Sequence, residues 1–256
     1  MFKTITTLLL LIGLIACKKD GKIEKPITNQ PAASNQGSIV VNITAKANSK
    51  NLIKETVFYK STGTDSFKVS ILKYYLSNLY LTTNENTEIK INEYILTEHF
   101  GSTVSFTLNN INEGNYKKFR MLLGVDPERN TSGAQSGSLD PLNGMFWDWN
   151  TGYIFFKLEG DYKTLGSNAL KPIAMHIGGF EGKNNSLKEF TFNDLDLKIK
   201  ANRKTSINME LNLDEIFINP QQLDLANISI AVTASEAKII ADNYADMFSI
   251  KSIQNP

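Results

Sequence analysis

The sequence predicts an all-β domain, an antiparallel β-sandwich of the immunoglobulin-like, Greek-key type, and three observations carry that expectation. Apolar and polar residues alternate at period two over many short runs. Polar breaks bearing Gly, Asn and Ser separate those runs. The ten-residue helical periods that βαβ units require are missing between them, so parallel folds are disfavoured. The chain has 256 residues, 41% of them hydrophobic, which is enough for one sizeable core and argues against a disordered or fibrous chain.

The elements follow in order. Met1-Phe2-Lys3 precedes an apolar run that ends in Leu14-Ile15-Ala16-Cys17, too short for a permanent membrane span and built like a cleavable export leader over residues 1–16. Leu-Ile-Ala-Cys resembles the bacterial lipobox, and the only Cys of the protein stands in it. Cys17 is therefore expected to be the lipid attachment point, and residues 17–36, polar and carrying Pro26 and Pro31, a flexible tether. The folded domain is expected over residues 37–256. Strands are read at residues 38–43, 67–71, 104–108, 116–125, 153–158, 173–177, 189–192, 196–199 and 206–211. A bend is expected at residues 73–78, between two strands, and a short helical turn at 214–217. Ala237, Ile240, Ala241, Tyr244 and Phe248 recur at helical spacing behind Ser235, which reads as a short C-terminal helix capped by that serine.

Composition excludes several functions. A net charge of +1 offers no basic field for nucleic acid. One Cys and two His leave no thiolate zinc cluster, so a metal site must be small or oxygen-rich. Nucleophile-elbow, zinc-protease, phosphate-loop and dinucleotide patterns are all absent, and no catalytic residue is expected: the protein reads as a binding protein and not an enzyme.

The informative segment is the long connection over residues 126–152, which gathers both Trp of the protein in Met145-Phe146-Trp147-Asp148-Trp149. Loops of this length are usually functional, and such rings need burial or a ligand. Rings that merely plug one end of the sandwich, or an aromatic platform of Trp147, Trp149 and Tyr153 for carbohydrate or adhesion contacts, are the alternatives.

Several blocks occur in a familiar order: Tyr74-Tyr75-Leu76-Ser77-Asn78, Leu123-Gly124-Val125-Asp126, Gly137-Ser138-Leu139-Asp140-Pro141, Gly144-Met145-Phe146-Trp147-Asp148-Trp149-Asn150-Thr151-Gly152-Tyr153, Lys157-Leu158-Glu159-Gly160 and His176-Ile177-Gly178-Gly179. Together they resemble the MbnP-like family of exported copper-binding proteins. The resemblance implies a mononuclear copper site with His donors, a role in copper acquisition or handling, and a Trp oxidised to kynurenine by a di-haem partner of the cytochrome c peroxidase type. Trp147 and Trp149 match the Trp-x-Trp of that family, and His176 its His-x-Gly segment; His99 aligns with no block but is the only other imidazole.

Copper(I) favours soft thioether and imidazole donors. His176, His99 and Met145 are the candidate ligands; Met175 neighbours His176 on a presumed strand and so points to its opposite face. Asp126, Asp140, Asp148 and Glu159 are oxygen ligands suited to calcium, yet without EF-hand spacing, and Asp140-Pro141 and Asn143-Gly144 are turn chemistry first. The expected setting is an outer-membrane lipoprotein, facing the periplasm or the cell surface.

Overall fold

The computed structural model describes residues 35–61, 63–148 and 152–256. The leader, Cys17, most of the tether and Trp149 lie outside the described residues. Sixteen strands are found among them: β1 (Gln36–Ala47), β2 (Lys50–Asn51), β3 (Tyr59–Lys60), β4 (Ser66–Thr83), β5 (Glu88–Ile91), β6 (Ile95–Glu98), β7 (Thr103–Asn112), β8 (Gly114–Leu123), β9 (Phe146–Asp148), β10 (Gly152–Lys163), β11 (Lys171–Gly178), β12 (Lys188–Phe192), β13 (Leu197–Ile199), β14 (Lys204–Asn212), β15 (Ile230–Ala231) and β16 (Phe248–Gln254). Helices are short: α1 (Pro127–Asn130), α2 (Leu225–Ile228) and α3 (Ala234–Asn243).

The strands form two layers, as the alternation requires. The smaller sheet runs β16-β14-β1-β2, with β7 also on β1; the larger runs β12-β8-β4-β10-β11-β15, with shorter strands along β4, β8 and β10. In β1 every second residue is buried, so one face meets the core and the other meets water. The β-sandwich is as expected, with one difference in pairing: β1 lies parallel to β14 (Ser38↔Lys204 through Lys46↔Asn212), and β11 parallel to β15, so the sheets are mixed. All strands of the larger sheet except β15 lie in sequence between β1 and β14, a connection long enough for a parallel pair.

Three local expectations change. No bend separates two strands at residues 73–78: β4 runs through as one 18-residue strand, and the irregularity is a bulge at Asn78, where φ is 45° and the register to β8 shifts. The helix α3 is capped by Thr233 instead of Ser235, because Thr233 and Glu236 form a reciprocal capping box. It also ends at Asn243, and Phe248 opens β16, a strand on β14 that the helical spacing concealed.

The larger sheet buries both faces over part of its area. Tyr74, Leu76, Phe156, Leu158, Met175 and Ile177 point into the main core between the sheets, where α3 adds Ala237, Ile240 and Ala241. Tyr75, Tyr153 and Phe155, one residue out of phase, belong instead to a second apolar cluster with Val125, Leu139, Met145 and Ile154. Period-two geometry puts that cluster on the outer face of the sheet, under the long connection between β8 and β10.

Candidate metal centre on the outer face of the larger sheet

The loop between β8 and β10 is fastened at both ends by one side chain. Asn130, 4% exposed, donates through Nδ2 to the Val125 carbonyl, and its Oδ1 accepts the Tyr153 N–H at 2.9 Å. Gly152 makes this possible: its φ is +74° and a Cβ there would run into Asn130 Oδ1. The rest of the loop is tied down from the sheet. The Tyr75 hydroxyl donates to the Ser138 carbonyl at 2.8 Å and the Tyr153 hydroxyl to the Leu139 carbonyl at 2.6 Å; burial pushes both phenols up in pKa. Ile154 N–H donates to the Met145 carbonyl at 2.9 Å, and Lys157 Nζ to the Gly144 carbonyl at 3.3 Å.

The loop carboxylates are spent on local structure. Asp126 caps α1 by accepting the Arg129 N–H at 3.2 Å and also accepts the Tyr94 hydroxyl, while Asp140 accepts the Leu142 N–H at 2.9 Å. Among the described residues no three His, Cys, Asp or Glu side chains converge on one point. Asp126, Asp140 and Glu159 therefore form no calcium cluster, and the side chain of Asp148 lies outside the description.

His176 sits in β11, directly opposite Lys157 of β10, which in turn opposes Lys73 of β4; Lys73 opposes Glu98 of β6. This row lies on the outer face. His176 is half-buried, and its Nε2 is 2.7 Å from Oε1 of Glu159, two residues along β10 on the same face. Lys157 Nζ is 3.2 Å from the same oxygen. Desolvation pushes the Glu159 carboxyl up, but the His176 and Lys157 donors outweigh it and hold the group below the usual carboxylate value. Because a carboxylate only accepts, Nε2 carries a proton, and in the neutral ring Nδ1 is then the nitrogen with the lone pair.

Trp147 approaches from the loop. It packs on the outer-face cluster, and its six-membered ring comes so close to Gly178 that a Cβ there would lie 2.8 Å from Cζ3 and 3.1 Å from Cη2. Gly178 is two residues from His176 on the same side of β11, so the indole and the imidazole are neighbours along one strand. Met145 belongs to the same cluster but is fully buried. Tyr153 is also fully buried, edge-on to Tyr75 and Phe146, so it presents no ring for a sugar to stack on.

His99 is elsewhere. It follows β6, donates its backbone N–H to the Leu72 carbonyl at 3.0 Å, and is wholly buried on the core face with its Nε2 3.0 Å from the Tyr74 hydroxyl. Burial lowers its pKa to about 4, against the opposing backbone of Ser102 and Gly101, so the ring is neutral at pH 7. Strands β4 and β10 separate the two histidines, about 14 Å at three strand spacings, and the side chains leave opposite faces of the sheet. Donors to one ion lie within about 4 Å of each other, so the structure does not bring His99 and His176 together on a metal. Met175 and Met209 are core residues, as the opposite-face argument predicts for Met175.

One residue of this site was not singled out as a partner for His176. Glu159, grouped in sequence with the carboxylates in or beside the long loop, lies on β10; the Lys157-Leu158-Glu159 alternation is the signal that puts both charges on one face.

The chain matches the MbnP family model over residues 36–238. Among solved structures it is similar to MbnP from Methylosinus trichosporium, with a TM-score of 0.55 and 14% identity over 86% of this chain and 98% of that one, a likeness of fold. The search of curated proteins gave no match.

Proposed function

Because the chain belongs to the MbnP family, we propose that it is an exported, membrane-anchored copper-binding protein in which His176 is the anchoring donor. The observation that carries the reading is the placement of His176: half-buried on the outer face, one ring nitrogen engaged by Glu159, the other left with its lone pair, and Trp147 seated beside it on Gly178. A borderline imidazole beside a loop that seats an indole two residues away suits copper(I) better than a hard, oxygen-seeking cation. The donor set fits copper at His176 and does not fit a His99–His176 pair. Further donors are then sought from the loop, whose sequence carries Met145, Trp147 and Trp149, and His99 serves the core.

In this reading Cys17 carries the lipid, residues 17–36 let the domain stand off an outer membrane, and the protein acquires or handles copper without catalysing a reaction. Its modifying partner is a di-haem protein of the cytochrome c peroxidase type, acting on Trp147 or Trp149. Copper supplies its own ligand exchange and redox chemistry when bound; the chain supplies an oriented imidazole and a covering loop. Titration of the folded domain with copper(II), and with copper(I) under anaerobic conditions, tests this: stoichiometric uptake in either state is expected, and none in both sinks the reading. Mass measurement of the peptide holding Trp147 and Trp149 from native cells would report kynurenine as about +4 Da.

A further inference from the structure

We propose that Glu159 is the positioning residue of this site, fixing His176 as the Nε2–H tautomer so that Nδ1 is the nitrogen presented to copper. The inference rests on the copper reading above and adds to it which atom binds and what holds that atom in place.

Glu159 and His176 are not directly opposed. The residue opposite His176 is Lys157, and Glu159 reaches His176 diagonally, one pleat away, at 2.7 Å. Such a diagonal approach suits a long side chain on the same face. Oε1 of Glu159 receives two donors, His176 Nε2–H and Lys157 Nζ at 3.2 Å, so the carboxylate is itself held in place. Lys157 in turn donates to the Gly144 carbonyl, one residue before Met145 and three before Trp147. A continuous set of contacts therefore runs from His176 through Glu159 and Lys157 into the loop, and returns through Trp147 to Gly178, two residues from His176. The imidazole is oriented by a charge-assisted hydrogen bond, and the indole covers Gly178, two residues along the same strand.

The chemistry follows from the donor inventory of imidazole. A neutral ring has one N–H and one bare nitrogen, and a carboxylate on one fixes the other as the ligand; the carboxylate also raises the ring's basicity and its hold on a metal. Glu159 thus acts through His176, not as a donor to the ion.

The experiment compares wild type, E159A, E159Q and H176Q. Long-range 1H–15N spectra of the metal-free protein read the His176 tautomer, and competition with a copper(I) chelator reads affinity. Nε2–H is expected in the wild type, a mixture of tautomers in E159A, and restoration of Nε2–H in E159Q, whose amide oxygen still accepts. Copper(I) affinity should fall about 10- to 100-fold in E159A and recover in part in E159Q, with far-UV circular dichroism confirming that each variant is folded. A wild type in the Nδ1–H tautomer, or an E159A protein with unchanged tautomer and affinity, overturns the proposal. A wild type that holds Nε2–H yet takes up no copper overturns the copper reading instead.

Discussion

His99 and His176 occupy opposite faces of one sheet, His99 against the Tyr74 hydroxyl in the core and His176 against Glu159 outside it, with β4 and β10 between them. The two imidazoles of the protein therefore do different work. His99→Gln should leave copper uptake within about twofold of wild type, whereas His176→Gln should weaken it by at least about tenfold. Copper(I) competition on both variants checks this, and equal losses would contradict the division.

The pH dependence of folding should report His99. Its pKa is lowered from 6.5 to about 4 in the folded chain, so the unfolded chain takes up the proton first. The associated stability is fully present above pH 6.5 and is lost as pH falls through about 4. The shift corresponds to roughly 3 kcal/mol. Urea unfolding at pH 7, 5.5 and 4 should show this decline, and His99→Leu should flatten it, since the replacement has no proton to take.

Asp65 titrates the other way. It is 4% exposed, and burial, followed by the hydrogen bond and charge of Asp224, raises its pKa against the opposing Ala226 N–H and Lys171. Stability from this group is present below the ordinary carboxylate value and is lost as pH rises through the raised one. Asp65→Asn should therefore raise the melting temperature at pH 7.5, with the gain disappearing near pH 3.5. A gain of equal size at both values would point to a cause other than ionisation.

Gly178 is a close-approach position. A Cβ would lie 2.6 Å from the Tyr153 carbonyl oxygen and 2.8 Å from Trp147 Cζ3. Gly178→Ala should cost about 1–3 kcal/mol and push the indole off β11. The tryptophan emission should shift to the red along with the drop in stability; an unchanged spectrum at wild-type stability would contradict the contact.

Much of this architecture is legible in the residues themselves. The alternation in β1, β7 and β14 follows from one buried face per strand, and period two suffices to read it. The Thr233–Glu236 capping box was also in plain sight, one cap earlier than the helical spacing suggested. β16 was hidden because Phe248 satisfies both the helical period and a strand start, and only pairing with β14 decides between them. The site divides similarly. His176 and Trp147 stand in recognisable blocks, but the Glu159 contact depends on the β10–β11 register, which a bulge between Ile154 and Phe156 shifts by one residue. The place of His99 depends on which face of β4 it meets, and no local pattern around Thr97-Glu98-His99 reports that.

The Asn130 clamp has a consequence for how this protein can diversify. One amide side chain joins the two ends of the β8–β10 connection, and the stretch from Ser138 to Trp147 is held separately by the sheet beneath it. The entropy of a closed loop grows slowly, by only about 0.6 kcal/mol per doubling of length, so the solvent-facing residues 131–134, between the clamp and the held stretch, can be exchanged or lengthened at little cost to the scaffold. Length and surface chemistry can thus vary at the loop's outer rim while the stretch bearing Met145 and Trp147 stays seated on β10 and β11.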